Sequence, residues 1–305
     1  MNIFFFGSTD FSLPILQRIH EAFGVSGVVI TKPRPRGRGL RTTPPRVAEW
    51  AERLGLNIYM PDDPNSEAFI DELRELRPDL FVLSAYGYIL SKTLLQLARL
   101  GGINIHPSLL PRYRGAAPIQ RAIMAGEERT GITIFFMDEK VDHGEVIAQR
   151  EIPIEKDDTY GSLADKLAHL GAEMITGVIQ RVKSDSHELT KQQEGKASYA
   201  PKIKKQEFFI NWEQTAEKVY NHIRALLPRP AARTHFRQRE LMITRVQLGD
   251  RKLSPGMLSV EDKRLYVGAG NGSLELLEVK PEGRKAMSAR DFINGYRIQE
   301  GEVLG

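Results

Sequence analysis

An asparagine and a histidine stand two residues apart at the end of a short apolar run, Gly102–Ile105, which is typical of a β-strand. Because successive side chains of a strand point to opposite faces, Asn104 and His106 should lie on the same face. An amide donor beside an imidazole could stabilise negative charge that develops on a substrate oxygen. The spacing alone is also compatible with a turn asparagine and a purely structural histidine.

A second polar group, Asp138–Gly144, follows the apolar run Thr130–Met137 and precedes the next predicted strand. A carboxylate from this segment that reached His106 would orient the imidazole ring and favour its charged form. Asp142 is the candidate for that carboxylate. The same Asp-His-Gly sequence is also an ordinary turn former.

The elements that must position these residues alternate between apolar runs and stretches of helical periodicity. Strands are predicted at Asn2–Gly7, Val25–Thr31, Asn57–Tyr59, Asp79–Ser84, Gly102–Ile105, Thr130–Met137 and Val146–Ile154, and helices at Phe11–Phe23, Pro44–Leu54, Asn65–Leu76, Ser91–Leu100 and Thr159–Val182. Strands that are apolar on both faces belong to parallel sheets covered by helices. The predicted class is α/β, a Rossmann-like, mainly parallel sheet with helices on both faces.

Ligands of such sheets bind at the carboxyl ends of the strands, so the segments that follow strands were searched for motifs. Gly7-Ser8-Thr9-Asp10-Phe11 after the first strand lacks G-x-G-x-x-G, and the chain has no Walker sequence. The glycine cluster Gly268–Gly272 lies among hairpin signals, where an Asn-Gly turn is expected. The sequence therefore argues against nicotinamide and nucleoside-triphosphate chemistry.

The chain should form two domains. We predict a first domain over residues 1–183, a polar linker over 184–202 and a second domain over 203–305. In the last of these, one helix, Glu213–Leu226, is followed by short strands separated by turn residues. That pattern is typical of a small β-barrel, here OB-like.

Composition excludes several classes of protein. The 305 residues include no cysteine, which excludes disulfides, cysteine nucleophiles and thiolate-held metal clusters. The mean hydropathy is −0.34, and no apolar run approaches the roughly 20 residues that span a bilayer. The start, Met1–Phe4, lacks the basic segment of a secretory signal. We expect a cytoplasmic protein without a membrane partner.

Positive charge is concentrated in two places. The net charge is +4, and residues 202–305 alone carry +6. A second group lies between Ala22 and Ala48, where six Lys and Arg residues occur without one acidic residue. Both features point to a polyanionic partner, although a solvated loop would also explain the second.

The segment Asn104–Gln120 reads Asn-Ile-His-Pro-Ser-Leu-Leu-Pro-Arg-Tyr-Arg-Gly-Ala-Ala-Pro-Ile-Gln. It resembles the central motif of the formyltransferases that use 10-formyltetrahydrofolate, and its second half is similar to the tRNA-modifying branch of that family and its sugar-modifying cousins. The resemblance covers essentially the full length, with further matching segments at Phe6–Phe11, Gly37–Gly39, Ala85–Leu90 and Tyr199–Lys202.

The resemblance implies an enzyme that transfers the formyl group of 10-formyltetrahydrofolate to the α-amino group of methionyl initiator tRNA. It implies catalysis by Asn104 and His106, which stabilise a tetrahedral intermediate, with Asp142 assisting. Contacts with the folate cosubstrate are implied for Ser108, Leu109, Leu110, Pro111, Tyr86, Gly87, Tyr88, Ile89 and Leu90. Binding of tRNA is implied for Lys32, Arg34, Arg36, Arg38 and Arg41. The resemblance requires no metal, and we expect a monomer.

Two other functions are compatible with these residues. A sugar-nucleotide formyltransferase would keep the same catalytic residues but would act on an amino sugar, which does not need the positive charge of residues 202–305. A tRNA-binding module without catalytic activity is the other alternative, although Asn104, His106 and Asp142 are all present. A formyl-transfer assay with both acceptors would separate the three.

Overall fold

The computed structural model describes residues 1–33 and 44–305. These residues divide into two compact units. The first unit comprises Met1–Pro118, Arg129–Pro153 and Ala164–Ala200, and the second comprises Ile119–Glu128, Ile154–Leu163 and Pro201–Gly305. Most of the segment that the sequence analysis treats as a linker, residues 184–200, therefore lies in the first unit.

The first unit is built around a seven-stranded sheet in the order β3-β2-β1-β4-β5-β6-β7. Its strands are β1 Ile3–Phe6, β2 Gly27–Val29, β3 Ile58–Tyr59, β4 Leu80–Leu83, β5 Gly102–His106, β6 Arg129–Phe136 and β7 Val146–Pro153. The five strands from β3 to β5 are parallel, and β6 and β7 are antiparallel to their neighbours. This mainly parallel sheet confirms the predicted Rossmann-like class.

Helices cover both faces of this sheet because its strands are apolar on both sides. They are α1 Ser12–Phe23, α2 Arg46–Arg53, α3 Glu67–Glu75, α4 Lys92–Leu95 and α6 Tyr160–Lys183, whereas α5, Pro118–Ala125, falls almost entirely in the second unit. One face packs Phe4, Phe6 and Phe81 against residues of α3 and α4. Ile105 of β5 packs closely against Gly171 of α6, because a Cβ added at Gly171 would lie 3.1 Å from Cγ2 of Ile105. Helix packing thus fixes the strand that carries Asn104 and His106.

Two helices of this region differ from their predicted form. Helix α4 ends at Leu95 instead of Leu100, because the amides of Arg99 and Leu100 bond to the carbonyls of Pro78 and Asp79 ahead of β4. Helix α5 was not predicted, and only its first three residues fall inside the motif Asn104–Gln120.

The second unit contains an antiparallel sheet whose strands follow the path β10-β11-β12-β9-β8, with β13 paired to β12. Its strands are β8 Ala232–Phe236, β9 Arg239–Gly249, β10 Leu258–Glu261, β11 Arg264–Ala269, β12 Gly272–Pro281 and β13 Met287–Ser288, and its later helices are α7 Ala216–Ala225 and α8 Ala289–Tyr296. Helix α7 begins three residues later than predicted because the Thr215 hydroxyl caps it, accepting from the amide of Lys218. Helix α8 was not predicted.

None of the helices in the described ranges is both long enough and apolar enough to cross a membrane.

Candidate active site

Strand β5 presents Asn104 and His106 on one face, as the two-residue period of a strand requires. β5 pairs in parallel with β4 and antiparallel with β6, where Asn104 lies opposite Phe135 and His106 opposite Thr133. Neighbouring strands on both sides leave β5 little freedom to move. The two polar side chains are therefore held by the interior of the sheet.

Asp142 meets both of these side chains. Its Oδ1 lies 3.4 Å from the donor Nδ2 of Asn104, and its Oδ2 lies 3.5 Å from Nδ1 of His106. The backbone N–H of Gly115 donates to the same Oδ2 at 2.8 Å. The side chains of His106 and Asp142 are only 5% and 11% exposed. The structure thus brings together the three residues that the resemblance implies in catalysis.

The second imidazole nitrogen of His106 is also engaged. Its Nε2 lies 3.0 Å from the carbonyl oxygen of Tyr113. Because a carbonyl oxygen only accepts, Nε2 carries a proton in this contact. A ring that is also protonated at Nδ1 would place an N–H toward the carboxylate of Asp142. Nδ1 therefore lies on the side of the ring that faces Asp142.

The loop that carries Asp142 is tightly constrained. Asp142 adopts the left-handed region with φ of 50°, which aspartate tolerates better than most residues. Two residues later, a Cβ on Gly144 would lie 1.7 Å from the carbonyl oxygen of Phe136. Only glycine allows this approach of the loop to the end of β6. The carboxylate is therefore aimed by backbone geometry as well as by its own contacts.

The segment after β5 is fixed by buried hydrogen bonds. The Thr133 hydroxyl donates to the Ser108 carbonyl at 2.7 Å and accepts from the Leu110 amide at 3.1 Å. The amide of Gln149 donates to the Leu110 carbonyl at 3.0 Å. Ser108 and Leu110 are buried, whereas Leu109 and Pro111 are partly exposed. These predicted folate contacts lie directly after the catalytic pair.

The other predicted folate segment, Tyr86–Leu90, forms a loop after β4. Asn65 holds it with two hydrogen bonds, donating to the Ile89 carbonyl at 2.9 Å and accepting from the Ser91 amide at 2.7 Å. Tyr86 packs its ring edge against Phe6, and burial raises the pKa of its hydroxyl. Gly87 has φ of 91°. The loop is rigidly supported at both ends.

The loop Tyr86–Leu90 and the Asp142 loop are joined by an ion pair. Lys92, just after the first loop, forms an ion pair of 3.0 Å with Glu139 of the Asp142 loop. Tyr88, Ile89 and Val141 are exposed by 37%, 61% and 46%, although they are apolar. Both loops therefore carry exposed apolar surface.

Of the predicted tRNA-binding residues, Lys32 lies within the described ranges. Lys32 forms an exposed ion pair of 2.6 Å with Asp62. Arg34, Arg36, Arg38 and Arg41 lie outside the described residues. Within the ranges 1–33 and 44–305, no group of three His, Asp or Glu residues is arranged to hold a metal ion.

Sequence reasoning missed the residues that support the catalytic ones. The Gln192 amide donates to the carbonyls of Asp142 and Gly144, and Arg114 donates to the Gln192 side-chain oxygen. Gln192 lies in a polar stretch without periodicity, so its type and spacing give no signal. Arg114 lies within the quoted motif, but its burial could not be read from the sequence.

Two family models cover almost the whole chain. The model described as Formyl transferase matches residues 1–179, and the model described as Formyl transferase, C-terminal domain matches residues 202–297. The methionyl-tRNA formyltransferase of Dictyoglomus turgidum is 40% identical over 309 residues, which cover 99% of this chain and 98% of the relative. The methionyl-tRNA formyltransferase of Bacillus subtilis is 40% identical over 308 residues, which cover 99% of this chain and 97% of the relative.

Solved structures share the fold at lower identity. The N-formyltransferase from Helicobacter canadensis, in complex with folinic acid and dTDP-3-aminofucose, matches with a TM-score of 0.69 at 19% identity, covering 90% of this chain and 98% of that one. HypX from Aquifex aeolicus, in complex with tetrahydrofolic acid, matches with a TM-score of 0.66 at 18% identity, covering 99% and 48%.

The family models and the relatives agree with the motif that begins at Asn104. The chain belongs to the formyl transferase family and is an enzyme of that family, with methionyl-tRNA formyltransferases as relatives over nearly its full length.

Proposed function

We propose that this enzyme transfers the formyl group of 10-formyltetrahydrofolate to the α-amino group of methionine esterified to initiator tRNA. The observation that carries the proposal is the convergence of Asn104, His106 and Asp142 within 3.5 Å at the end of β5. Relatives with 40% identity that bear the name methionyl-tRNA formyltransferase support the choice of acceptor.

When bound, 10-formyltetrahydrofolate supplies a formyl group whose oxygen gains negative charge as the amine adds to its carbon. Asn104 and His106 would stabilise that charge in a tetrahedral intermediate. The Asn104 amide has two N–H donors, of which one points at Asp142, and we assign the other to the substrate oxygen. Removing one such donor typically costs about 10²–10³ in rate.

Asp142 would act in two ways. Its Oδ2, 3.5 Å from Nδ1, would orient the imidazole of His106. Its carboxylate would also accept, directly or through a water, the proton that the attacking amine loses. That proton finally goes to the folate nitrogen when the bond between the formyl carbon and that nitrogen breaks.

The residues of the two adjoining loops fit the pteridine part of the formyl donor. Tyr88, Ile89 and Val141 offer exposed apolar surface beside the catalytic residues. The hydroxyl of Tyr86 is buried without a hydrogen-bond partner in the described part of the chain. We assign the loop Tyr86–Leu90 and the segment Ser108–Pro111 to donor binding.

The basic residues of the chain would bind the tRNA. Lys32, Arg34, Arg36, Arg38 and Arg41 form one group, and the charge of +6 over residues 202–305 forms the other. We propose that residues 1–183 are the catalytic domain, 184–202 the connection and 203–305 the tRNA-binding domain, and that the protein acts as a monomer. Contacts with phosphates make binding strongly dependent on salt.

The test is a formyl-transfer assay with labelled 10-formyltetrahydrofolate and two acceptors side by side, charged initiator tRNA and an amino-sugar nucleotide. We expect label on the methionyl-tRNA only. Label on the sugar alone would assign the chain to the sugar-modifying reaction. Absence of transfer to either acceptor, together with retained tRNA binding, would indicate a binding module without activity.

A further inference from the structure

A polar segment that follows helix α6 supports the candidate active site from two sides. Thr190 pairs with Val146, exchanging backbone hydrogen bonds of 2.8 and 2.9 Å just after the Asp142 loop. Further along, Ser198 and Ala200 bond to the backbone of Arg114 at 2.8 and 2.7 Å. The segment Thr190–Ala200 therefore contacts both the Asp142 loop and the turn after β5.

Gln192 lies between these two anchoring points and uses both ends of its amide. Its Nε2 donates to the carbonyl oxygens of Asp142 at 3.0 Å and Gly144 at 2.9 Å. Its Oε1 accepts from Nε and Nη2 of Arg114 at 3.1 and 2.8 Å. Because Arg114 fixes which end of the amide is the acceptor, the N–H groups can only face the two carbonyls.

Arg114 is itself held in place. Its side chain is 2% exposed, and its guanidinium makes a two-point contact with Glu194, at 3.1 and 2.6 Å. The hydrogen bond with Glu194 raises the pKa of Arg114 and lowers that of Glu194. A planar guanidinium held on two sides has little rotational freedom. It provides a rigid base for Gln192.

We infer that Gln192 is a positioning residue for Asp142, held in register by the buried Arg114. The inference rests on the proposed function, because it gives Gln192 a role only through the carboxylate of Asp142. Asp142 contacts Asn104 and His106 at 3.4 and 3.5 Å, at the outer limit of hydrogen bonding. A small movement of the Asp142 backbone would therefore break both contacts. The two bonds from Gln192 to this loop prevent that movement.

The test compares two glutamines that are adjacent in the chain. Gln192→Met keeps the length of the side chain but removes every hydrogen bond, and Gln193→Met makes the same exchange at an exposed neighbour. Second-layer partners of metal-binding side chains contribute about 10- to 100-fold, and we expect a fall in kcat of the same size for Gln192→Met. KM for both substrates should stay within about twofold, since no substrate contact is removed. Gln193→Met should match the wild type.

A double-variant cycle with Asp142→Asn separates positioning from a general loss of structure. If Gln192 acts through Asp142, Gln192→Met should lower the rate by less than about twofold once Asp142→Asn is present. The inference would be overturned if the rate losses of Gln192→Met and Asp142→Asn multiplied in the double variant, or if Gln192→Met kept the wild-type kcat. Asp142→Asn alone reports on the proposed function: if it leaves the rate unchanged, both the catalytic role of Asp142 and the role of Gln192 are rejected. A fall with Asp142→Asn but not with Gln192→Met rejects only the role of Gln192.

Should Gln192→Met fail to fold, Gln192→Glu provides a second variant. Its carboxylate still accepts from Arg114 but has no N–H for the carbonyls of Asp142 and Gly144. The same loss of kcat is expected. A wild-type kcat for this variant would overturn the inference as well.

Discussion

Asp142→Asn should abolish most of the activity while leaving the fold intact. The carboxylate accepts from Gly115 N–H and faces His106 through Oδ2, and it contacts Asn104 through Oδ1. The amide of the variant is best placed with its oxygen at the Oδ2 position, where both of the first two contacts are kept. Only the 3.4 Å contact with Asn104 then becomes a contact between two donors.

The structural cost of this exchange is therefore small. Losing one long hydrogen bond costs about 1 kcal/mol. The catalytic cost is larger, because the amide carries no charge to favour a protonated His106 and cannot accept a proton from the amine. A general acid–base group contributes about 10²–10⁴-fold, which corresponds to about 3–5 kcal/mol of barrier. We expect kcat to fall by that factor, with tRNA affinity within about twofold.

The assay is single-turnover formyl transfer to methionyl-tRNA, with tRNA binding and thermal unfolding measured on the same preparation. The matched control is Asp185→Asn, because Asp185 also adopts the left-handed region, with φ of 51°, and is exposed. A rate for Asp142→Asn within about threefold of the control would refute the reasoning, since no acid–base role is worth so little. A large loss of unfolding temperature would contradict the proposed orientation of the amide.

Three further outcomes are expected. For tRNA binding, a plot of the logarithm of the binding constant against the logarithm of salt concentration falls with salt, and Arg38→Ala should make this slope less steep by about one. An unchanged slope together with unchanged kinetics would reject the role of Arg38. Gly144→Ala adds a Cβ that would lie 1.7 Å from the Phe136 carbonyl oxygen. The free energy of unfolding should therefore fall by about 1–3 kcal/mol, which thermal denaturation would show, and the transfer assay should show lower activity. Burial lowers the pKa of His222 in the folded protein below its ordinary value of 6.5. As the pH falls below about 6.5, the unfolded chain therefore takes up a proton at His222 more readily than the folded protein does, and the free energy of unfolding decreases. His222→Gln should reduce that loss in a pH series of unfolding midpoints, and an identical pH dependence would argue against it.

The strands of the first unit were predictable because burial on both faces leaves a local pattern. Asn104 and His106 were assigned to one side of a strand from the two-residue period alone, and the structure places both within reach of Asp142. The contact with Asp142 crosses from β5 to the loop after β6, so it depends on which strands are neighbours. Spacing along the chain carries no information about that.

The supporting residues were not predictable for a related reason. Gln192 contacts Asp142 and Arg114 across long stretches of chain, and nothing in its local sequence marks it. Its segment looks like a linker because it is polar and has no periodicity. Its order comes from hydrogen bonds with partners that are remote in sequence. Helices α5 and α8 were missed because each is only eight residues long and lacks the pair of prolines that precedes the equally short α2.

The turn between β5 and α5 contacts His106 and Asp142, the proposed catalytic residues, through its main chain. The Tyr113 carbonyl holds one nitrogen of His106, and two residues later the Gly115 N–H holds the carboxylate of Asp142. Truncating the Tyr113 side chain removes neither peptide group, and Gly115 has no side chain to truncate. Alanine scanning would therefore undervalue this turn. Replacing the amide of residue 115 by an ester would expose its contribution, because that change deletes the N–H but no side chain.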